Sequence, residues 1–339
     1  MENETVFRKK LAKKLFFYWN SANITFILAT SASPKLSFAR KKNCCTMDSQ
    51  YRELYPLMFE TEYCSAPWGG CLLRQGKERT GEAWEIADRA RICNGPLAGM
   101  TLHSLMSVAG AEIVGSSWVP GMRFPLIVKL IDTADMLSLQ LHPESKTEVW
   151  YIMEAEPDAV ILAGLAEGVT SGDLVTALPD NDSLMKLMQV HKAVPGDMYC
   201  ILPGRVHSIG GGILLLEIQT NCNITYRFSD WNRKPERPLH VEQALSILDT
   251  SEKQHVRLHP EDMDASMPFR VLKLEVNGEM ELSTGHETYH VLTATNKPVQ
   301  IHTSRNTCTL PAAHSCLIPA QLGNYKLSGD MATVILATQ

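Results

Sequence analysis

The sequence carries no excess of positive charge: 32 Lys and Arg stand against 37 Asp and Glu over 339 residues, a net charge of −5. That balance offers no basic face of the kind that binds nucleic acid. A membrane-spanning run is also missing. The stretch Leu15 to Ala29 is interrupted by Trp19-Asn20-Ser21 and by Asn23, and it falls short of the about 20 apolar residues that a helix needs to cross a bilayer. The nine cysteines are odd in number and irregular in spacing, with no CxxC. A disulfide framework is therefore not indicated, and each cysteine is read as a small buried hydrophobe in a reducing cytoplasm. No repeat of fixed period and no low-complexity tract occurs. What is present, 45% hydrophobic and 20% charged residues with a mean hydropathy of −0.10, is the composition of a soluble globular chain of two domains or one elaborate one.

Charge divides the chain unevenly. Residues 1–46 hold nine Lys and Arg, among them Arg8, Lys9, Lys10, Lys13 and Lys14, against two acids, which leaves 23 basic and 35 acidic residues for the remainder. This head reads as a basic N-terminal extension outside the fold, with Met47 opening the globular part; a secretory signal is the alternative. Beyond it, short apolar runs separated by Gly, Pro and Asn predict strands at Phe124 to Ile131, Ala159 to Ala163, Asp197 to Leu202 and Gly212 to Gln219. A period near 3.6 predicts helices within Leu97 to Val114, Ser171 to His191 and Val241 to Leu248, the second broken at Pro179-Asp180-Asn181-Asp182. The expectation is a mainly β protein: a motif-rich first domain over 47–248 with a helical insertion near 171–192, a polar linker over 249–266, and a C-terminal β domain over 267–339, metal-free because it assembles no cluster of ligand-type residues.

In Ser138-Leu139-Gln140-Leu141-His142-Pro143, strand alternation sends Ser138, Gln140 and His142 to one side. Glu148 follows six residues later in Lys146-Thr147-Glu148, and a second histidine, His207, ends the segment that starts at Gly196-Asp197. Two histidines and a carboxylate with an open position are the composition of a catalytic metal site. Surface or core histidines that happen to be so spaced are the competing reading.

Several pieces occur together and in order: Trp68-Gly69-Gly70, Gly81 to Glu85, Asn94 to Gly99, Gln140-Leu141-His142-Pro143, Lys146-Thr147-Glu148, Gly196 to His207 and Thr225-Tyr226-Arg227. In this the chain resembles the short bacterial form of the type I phosphomannose isomerases over about residues 51–339. The resemblance implies a cupin, that is a jelly-roll β-barrel, and one zinc ion per chain. It implies a mannose-6-phosphate isomerase, an aldose–ketose isomerase that interconverts mannose 6-phosphate and fructose 6-phosphate through an enediol. Carried over position by position, it places the metal ligands at Gln140, His142, Glu148 and His207. It places catalytic roles at Glu217, Arg227 and Lys146, with Ser138 and Lys146 on the sugar phosphate. Glu217 is the candidate base, or else it orients a metal-bound histidine; Arg227 supports the enediolate, or else it is a structural partner of Asp230. The expected partner is a small-molecule sugar phosphate, with no nucleic acid and no membrane, in the cytoplasm; the alternative function is a non-catalytic cupin that binds such a molecule. Two segments depart from the family pattern: Cys222-Asn223-Ile224 replaces Ser-Asp before Thr-Tyr-Arg, and Leu202-Pro203-Gly204 replaces Pro-Ala-Gly before the last ligand.

Overall fold

The computed structural model describes residues 53–74, 76, 78–251, 257–258 and 267–339; the extension expected over 1–46 and most of the expected linker lie outside them. In chain order the elements are β1 (Leu57–Met58), β2 (Glu62–Cys64), β3 (Glu82–Ile86), α1 (Leu102–Val114), β4 (Leu126–Thr133), β5 (Leu139–Leu141), β6 (Glu148–Ala155), β7 (Val160–Leu165), α2 (Ser171–Ala177) and α3 (Asn181–Lys186). They continue with β8 (Met188–Lys192), β9 (Met198–Ile201), β10 (His207–Ile209), β11 (Ile213–Thr220), β12 (Tyr226–Ser229), α4 (Val241–Ser246), β13 (Arg257–Leu258) and β14 (Arg270–Ser283). The last are β15 (His290–Ala294), β16 (Val299–His302), β17 (Thr307–Leu310), β18 (His314–Ile318) and β19 (Asn324–Thr338).

Two antiparallel sheets make the sandwich that holds the site. One runs β13-β9-β6-β11-β4-β3-β2 and the other β12-β5-β10-β7-β8. Strands β4 and β11 are buried along nearly their whole length and mostly apolar, with exceptions such as Lys129 and Asp132 in one and Glu217 and Gln219 in the other, because both of their faces are covered. Leu126, Val128, Leu130, Leu216 and Ile218 pack outward with Leu105 and Ile113 of α1 and with Val271, Val291 and Ile335 of the C-terminal strands. Ile131, Ile213 and Leu215 pack inward with Trp150, Ile152, Tyr199, Ile201 and Ile209. The outer face of the second sheet (Leu139, Leu141, Leu162, Phe228) is covered by Leu174, Leu184 and Ala244 of α2, α3 and α4. The parity is thus fixed strand by strand, and a one-residue slip would expose every one of these side chains to the wrong face.

The helices start where their caps dictate. Thr101 accepts a hydrogen bond from the Ser104 amide and opens α1, so the expected helical turn from Leu97 is absent. Thr170 and Asp173 form a reciprocal capping box on α2, and Asp180 caps α3. The stretch expected to stay helical to His191 instead becomes β8 from Met188, which pairs antiparallel with β7. Val190 is 52% exposed there, as an edge strand permits. The C-terminal strands form a third sheet, β1-β18-β15-β19-β16-β17 with β14 along β19. β1 comes from the N-terminal side of the barrel and pairs with β18 at Leu57 and Leu317. Among the described residues no helix is long and apolar enough to cross a membrane.

One buried group in this core is unbalanced. Tyr289 is fully buried against Phe124, ring centroids 4.8 Å apart, and its hydroxyl has no hydrogen-bond partner. A buried unsatisfied hydroxyl costs about 1–3 kcal/mol. Tyr289→Phe is therefore expected to raise the unfolding free energy by about 1 kcal/mol, measured by urea titration; a loss of stability would show that the hydroxyl is solvated.

Candidate metal centre

At one end of the barrel a group of inward-pointing strand positions carries polar side chains beside the apolar Trp150 and Ile201. On the β12, β5 and β10 row, Arg227 is registered opposite Gln140, and Gln140 opposite His207. On the facing sheet, Gln219 lies opposite Glu148, and Glu217 lies opposite both Trp150 and Lys129. His142 follows directly after β5. Register, rather than loop conformation, brings these groups together from six strands distant in sequence.

His142, Glu148 and His207 each offer a ligand atom within 4.8 Å of the others, and all three are buried. The tautomers of both histidines follow from their partners. His142 Nδ1 donates to the Ile224 carbonyl at 2.9 Å, and His207 Nδ1 donates to the Arg205 carbonyl at 2.9 Å. A carbonyl only accepts, so each Nδ1 carries a proton, and in the neutral ring that binds a metal Nε2 presents the lone pair. His142 Nε2 then has no hydrogen-bond partner although it is buried, and it stands 3.2 Å from Glu148 Oε1; Glu148 Oε2 is likewise unpartnered. Acceptors converging on one point repel unless a cation lies among them. The residues therefore fit a metal ion, with the second nitrogen of each histidine held by a backbone carbonyl as metal-binding histidines usually are.

Burial, and after it the neighbouring His142, pushes the His207 imidazole down to about 3, so it stays neutral. Burial would raise the Glu148 carboxyl, but Lys146, His142 and His207 outweigh it and hold it well below the usual carboxylate range. Lys146 is itself buried, with Nζ 2.8 Å from Glu148 Oε1; it is not a solvated surface charge. The Gln140 amide lies 3.3 Å from His207 Nε2 by its nitrogen, while its oxygen accepts from Ser138 Oγ at 3.1 Å. A half-turn of that amide exchanges the two ends at little steric cost.

Glu217 is buried and held at both oxygens: Oε2 accepts from Trp150 Nε1 at 3.2 Å and Oε1 lies 3.3 Å from Lys129 Nζ. It touches neither histidine, so it does not orient them. Burial, and then the charge of Glu148, raise its carboxyl above the ordinary value, with Lys129 opposing. Arg227 donates from Nη1 to the Pro238 carbonyl at 2.7 Å, and its buried Nε has no partner. Asp230 is not its mate: that carboxylate is taken by Arg237, whose Nε is 2.7 Å from Oδ2, with Arg233 at 3.8 Å.

Lys129 was the residue least visible in the sequence. Its signal was a lone lysine inside the apolar run Phe124 to Ile131, at a position whose parity faces inward; Nζ also sits 4.4 Å from the Trp84 ring centre. The two departures from the family pattern are met mostly by main chain, apart from the Cys222 sulfur, which accepts from Ser145 Oγ at 3.2 Å. Ile224 and Cys222 contribute carbonyls to His142 and Gln219, which any side chain leaves in place. Gly204 adopts φ +75°, where a Cβ would lie 2.4 Å from the Ile247 carbonyl, and its amide donates to the His142 carbonyl at 2.8 Å. The turn is reshaped around glycine while its hold on the ligand strand persists. Of the cysteines expected to be buried, Cys200 and Cys316 are, whereas Cys71 and Cys93 are exposed.

Curled antiparallel sheets enclosing a buried His–Glu–His group define a cupin with a centre able to hold a metal ion. No family model matches the chain. The mannose-6-phosphate isomerase ManA and the putative mannose-6-phosphate isomerase YvyI of Bacillus subtilis (strain 168) are each 28% identical to it, over 83% of this chain and 98% of the relative. The crystal structure of the mannose 6-phosphate isomerase from Bacillus subtilis matches with a TM-score of 0.73 at 28% identity, covering 84% of this chain and 99% of that one. A putative mannosephosphate isomerase from Archaeoglobus fulgidus matches in fold with a TM-score of 0.71 at 22% identity, covering 84% and 98%. The resemblance to type I phosphomannose isomerases read from the motifs thus extends along most of the chain.

Proposed function

We propose that the protein is a zinc-dependent mannose-6-phosphate isomerase that converts mannose 6-phosphate and fructose 6-phosphate into each other through an enediol. The observation that carries the metal part is the unpartnered Nε2 of His142 facing Glu148 at 3.2 Å. The similarity to named isomerases over most of the chain carries the substrate. Gln140, His142, Glu148 and His207 would hold the ion, which when bound supplies positive charge for an oxyanion developing on the sugar. A place in the cytoplasm is supported by the seven described cysteines, all of them free.

The chain's own groups divide the remaining work. Aldose and ketose interconvert when a base takes the proton beside a carbonyl and returns it one carbon away. Glu217 is assigned that proton. Each of its oxygens has one protein donor and keeps a lone pair, and its raised carboxyl suits a base that must give the proton back. Arg227, with an unpartnered buried Nε on the same row as Gln140, bears charge of the enediolate. Lys146 and Ser138 hold oxygens of the sugar phosphate. A pure sugar-phosphate binder would need no inward-facing base.

The coupled test is an assay of the zinc-loaded chain with mannose 6-phosphate as substrate and fructose 6-phosphate as the product detected. Arg227→Ala is expected to keep its metal, because no ligand depends on that side chain, and to lose about 10²–10³ in kcat. A rise in KM alone would reassign Arg227 to the phosphate.

A further inference from the structure

We infer that the end of β11 and the turn after it, Gln219 to Ile224, form a positioning strut that sets His142 for metal and Lys146 for substrate through main-chain bonds. The inference rests on the functional reading above. Gln219 is completely buried within the barrel, yet its Oε1 has no partner. Its Nε2 donates to the Cys222 carbonyl at 2.5 Å and to the Thr220 carbonyl at 3.3 Å. A buried glutamine that satisfies only its amide nitrogen is spent on folding that turn. The turn delivers the Ile224 carbonyl to His142 Nδ1 at 2.9 Å, which aims Nε2 at Glu148.

Thr220 serves the other arm. Its Oγ1 donates to the Ser145 carbonyl at 2.7 Å and accepts from the Thr147 amide at 3.1 Å, while its own amide donates to the Thr147 carbonyl at 3.0 Å. The three bonds bracket Lys146 on both sides. They hold the loop so that Nζ meets Glu148 at 2.8 Å. Two adjacent residues of one strand thus govern two different functional side chains, and neither is itself a ligand. Of Cys222-Asn223-Ile224, the carbonyls of Cys222 and Ile224 carry the strut, and the Cys222 sulfur adds one side-chain contact, accepting from Ser145 Oγ at 3.2 Å.

Because the arms differ, variants of the full-length chain separate them. Gln219→Met keeps volume and removes the donor; the zinc dissociation constant is expected to rise about 10–100-fold, as for groups that orient metal ligands. The kcat at saturating zinc stays near that of the parent. Thr220→Val is expected to leave zinc affinity unchanged and to lower kcat/KM by up to about 10²-fold, the effect of a small misplacement near the reacting groups. Thr220→Ser restores it. Hydrogen exchange of the Thr147 amide should quicken about tenfold in Thr220→Val, one hydrogen bond's worth, and not in Gln219→Met. Parental zinc affinity in Gln219→Met, parental turnover in Thr220→Val, or parallel loss of zinc, turnover and melting temperature in both would overturn the strut. If the parent neither binds zinc nor isomerises sugar phosphate, the functional reading falls, whereas the strut is still decided by the Thr147 exchange.

Discussion

His207→Ala protein is expected to emerge with metal content reduced from about one ion per chain to near zero, and with isomerisation lost in step. The reason is geometric: His207 Nε2 and His142 Nε2 are the imidazole donors of the cluster, each fixed by a carbonyl behind it. Removing one leaves three groups that no longer close around an ion. His191→Ala is the matched control, since His191 packs on Tyr199 and meets the Ala163 carbonyl at 3.3 Å, away from the cluster; it should keep its metal. Elemental analysis and a chelator titration read the difference. The same residue predicts acid sensitivity. His207 titrates at about 3 in the fold against 6.5 when unfolded, so between these values the unfolded chain binds the extra proton. Stability therefore falls as pH drops through that window. His207→Ala should show a shallower fall, by up to one proton; an unchanged slope would mean that His207 is accessible to protons in the fold.

Glu217→Gln is expected to abolish exchange of the substrate's C2 proton with solvent and to reduce turnover by about 10²–10⁴, the range general bases supply, while zinc stays bound. Glutamine keeps an acceptor for Trp150 Nε1 but removes the anion 3.3 Å from Lys129. Burial would lower the Lys129 ammonium, but Glu217 first, then Glu82 and Glu148, outweigh it and hold it raised, so the single variant leaves a buried cation with only the more distant Glu82 at 4.0 Å and should be less stable. Pairing it with Lys129→Met removes both charges and should recover stability without recovering exchange. The parent's activity should fall on its acid side above the ordinary carboxylate range, because a raised Glu217 takes its proton early. That limb should vanish in Glu217→Gln. Persistent exchange at the parental rate with zinc in place would move the base elsewhere.

How much of this was legible in the residues differs by element. The inward parity of Ser138, Gln140 and His142 follows from alternation alone, and β5 keeps it. The closeness of His207 to Gln140 does not, because it depends on strand register across 67 residues. Motif order supplied it by resemblance, where spacing could not. Lys129 escaped notice because a lysine in an apolar run looks like a strand edge until both faces of β4 are known to be covered. Gln219 and Thr220 escaped for a different reason: their role lies in backbone bonds to a turn, and no residue-type pattern encodes that. Met188 to Lys192 misled because the helical period of Ser171 to Lys186 runs on into it, while the free edge of β7 makes it a strand.

Whether the protein isomerises mannose 6-phosphate is decided by a single assay. The full-length chain, loaded with zinc, is given mannose 6-phosphate and glucose 6-phosphate in separate reactions, and fructose 6-phosphate is followed by a coupled enzyme, before and after chelation. Conversion of mannose 6-phosphate that chelation stops and zinc restores is the expected result. Binding of the sugar phosphate with no product at any metal concentration would contradict it and leave a cupin that only holds its ligand.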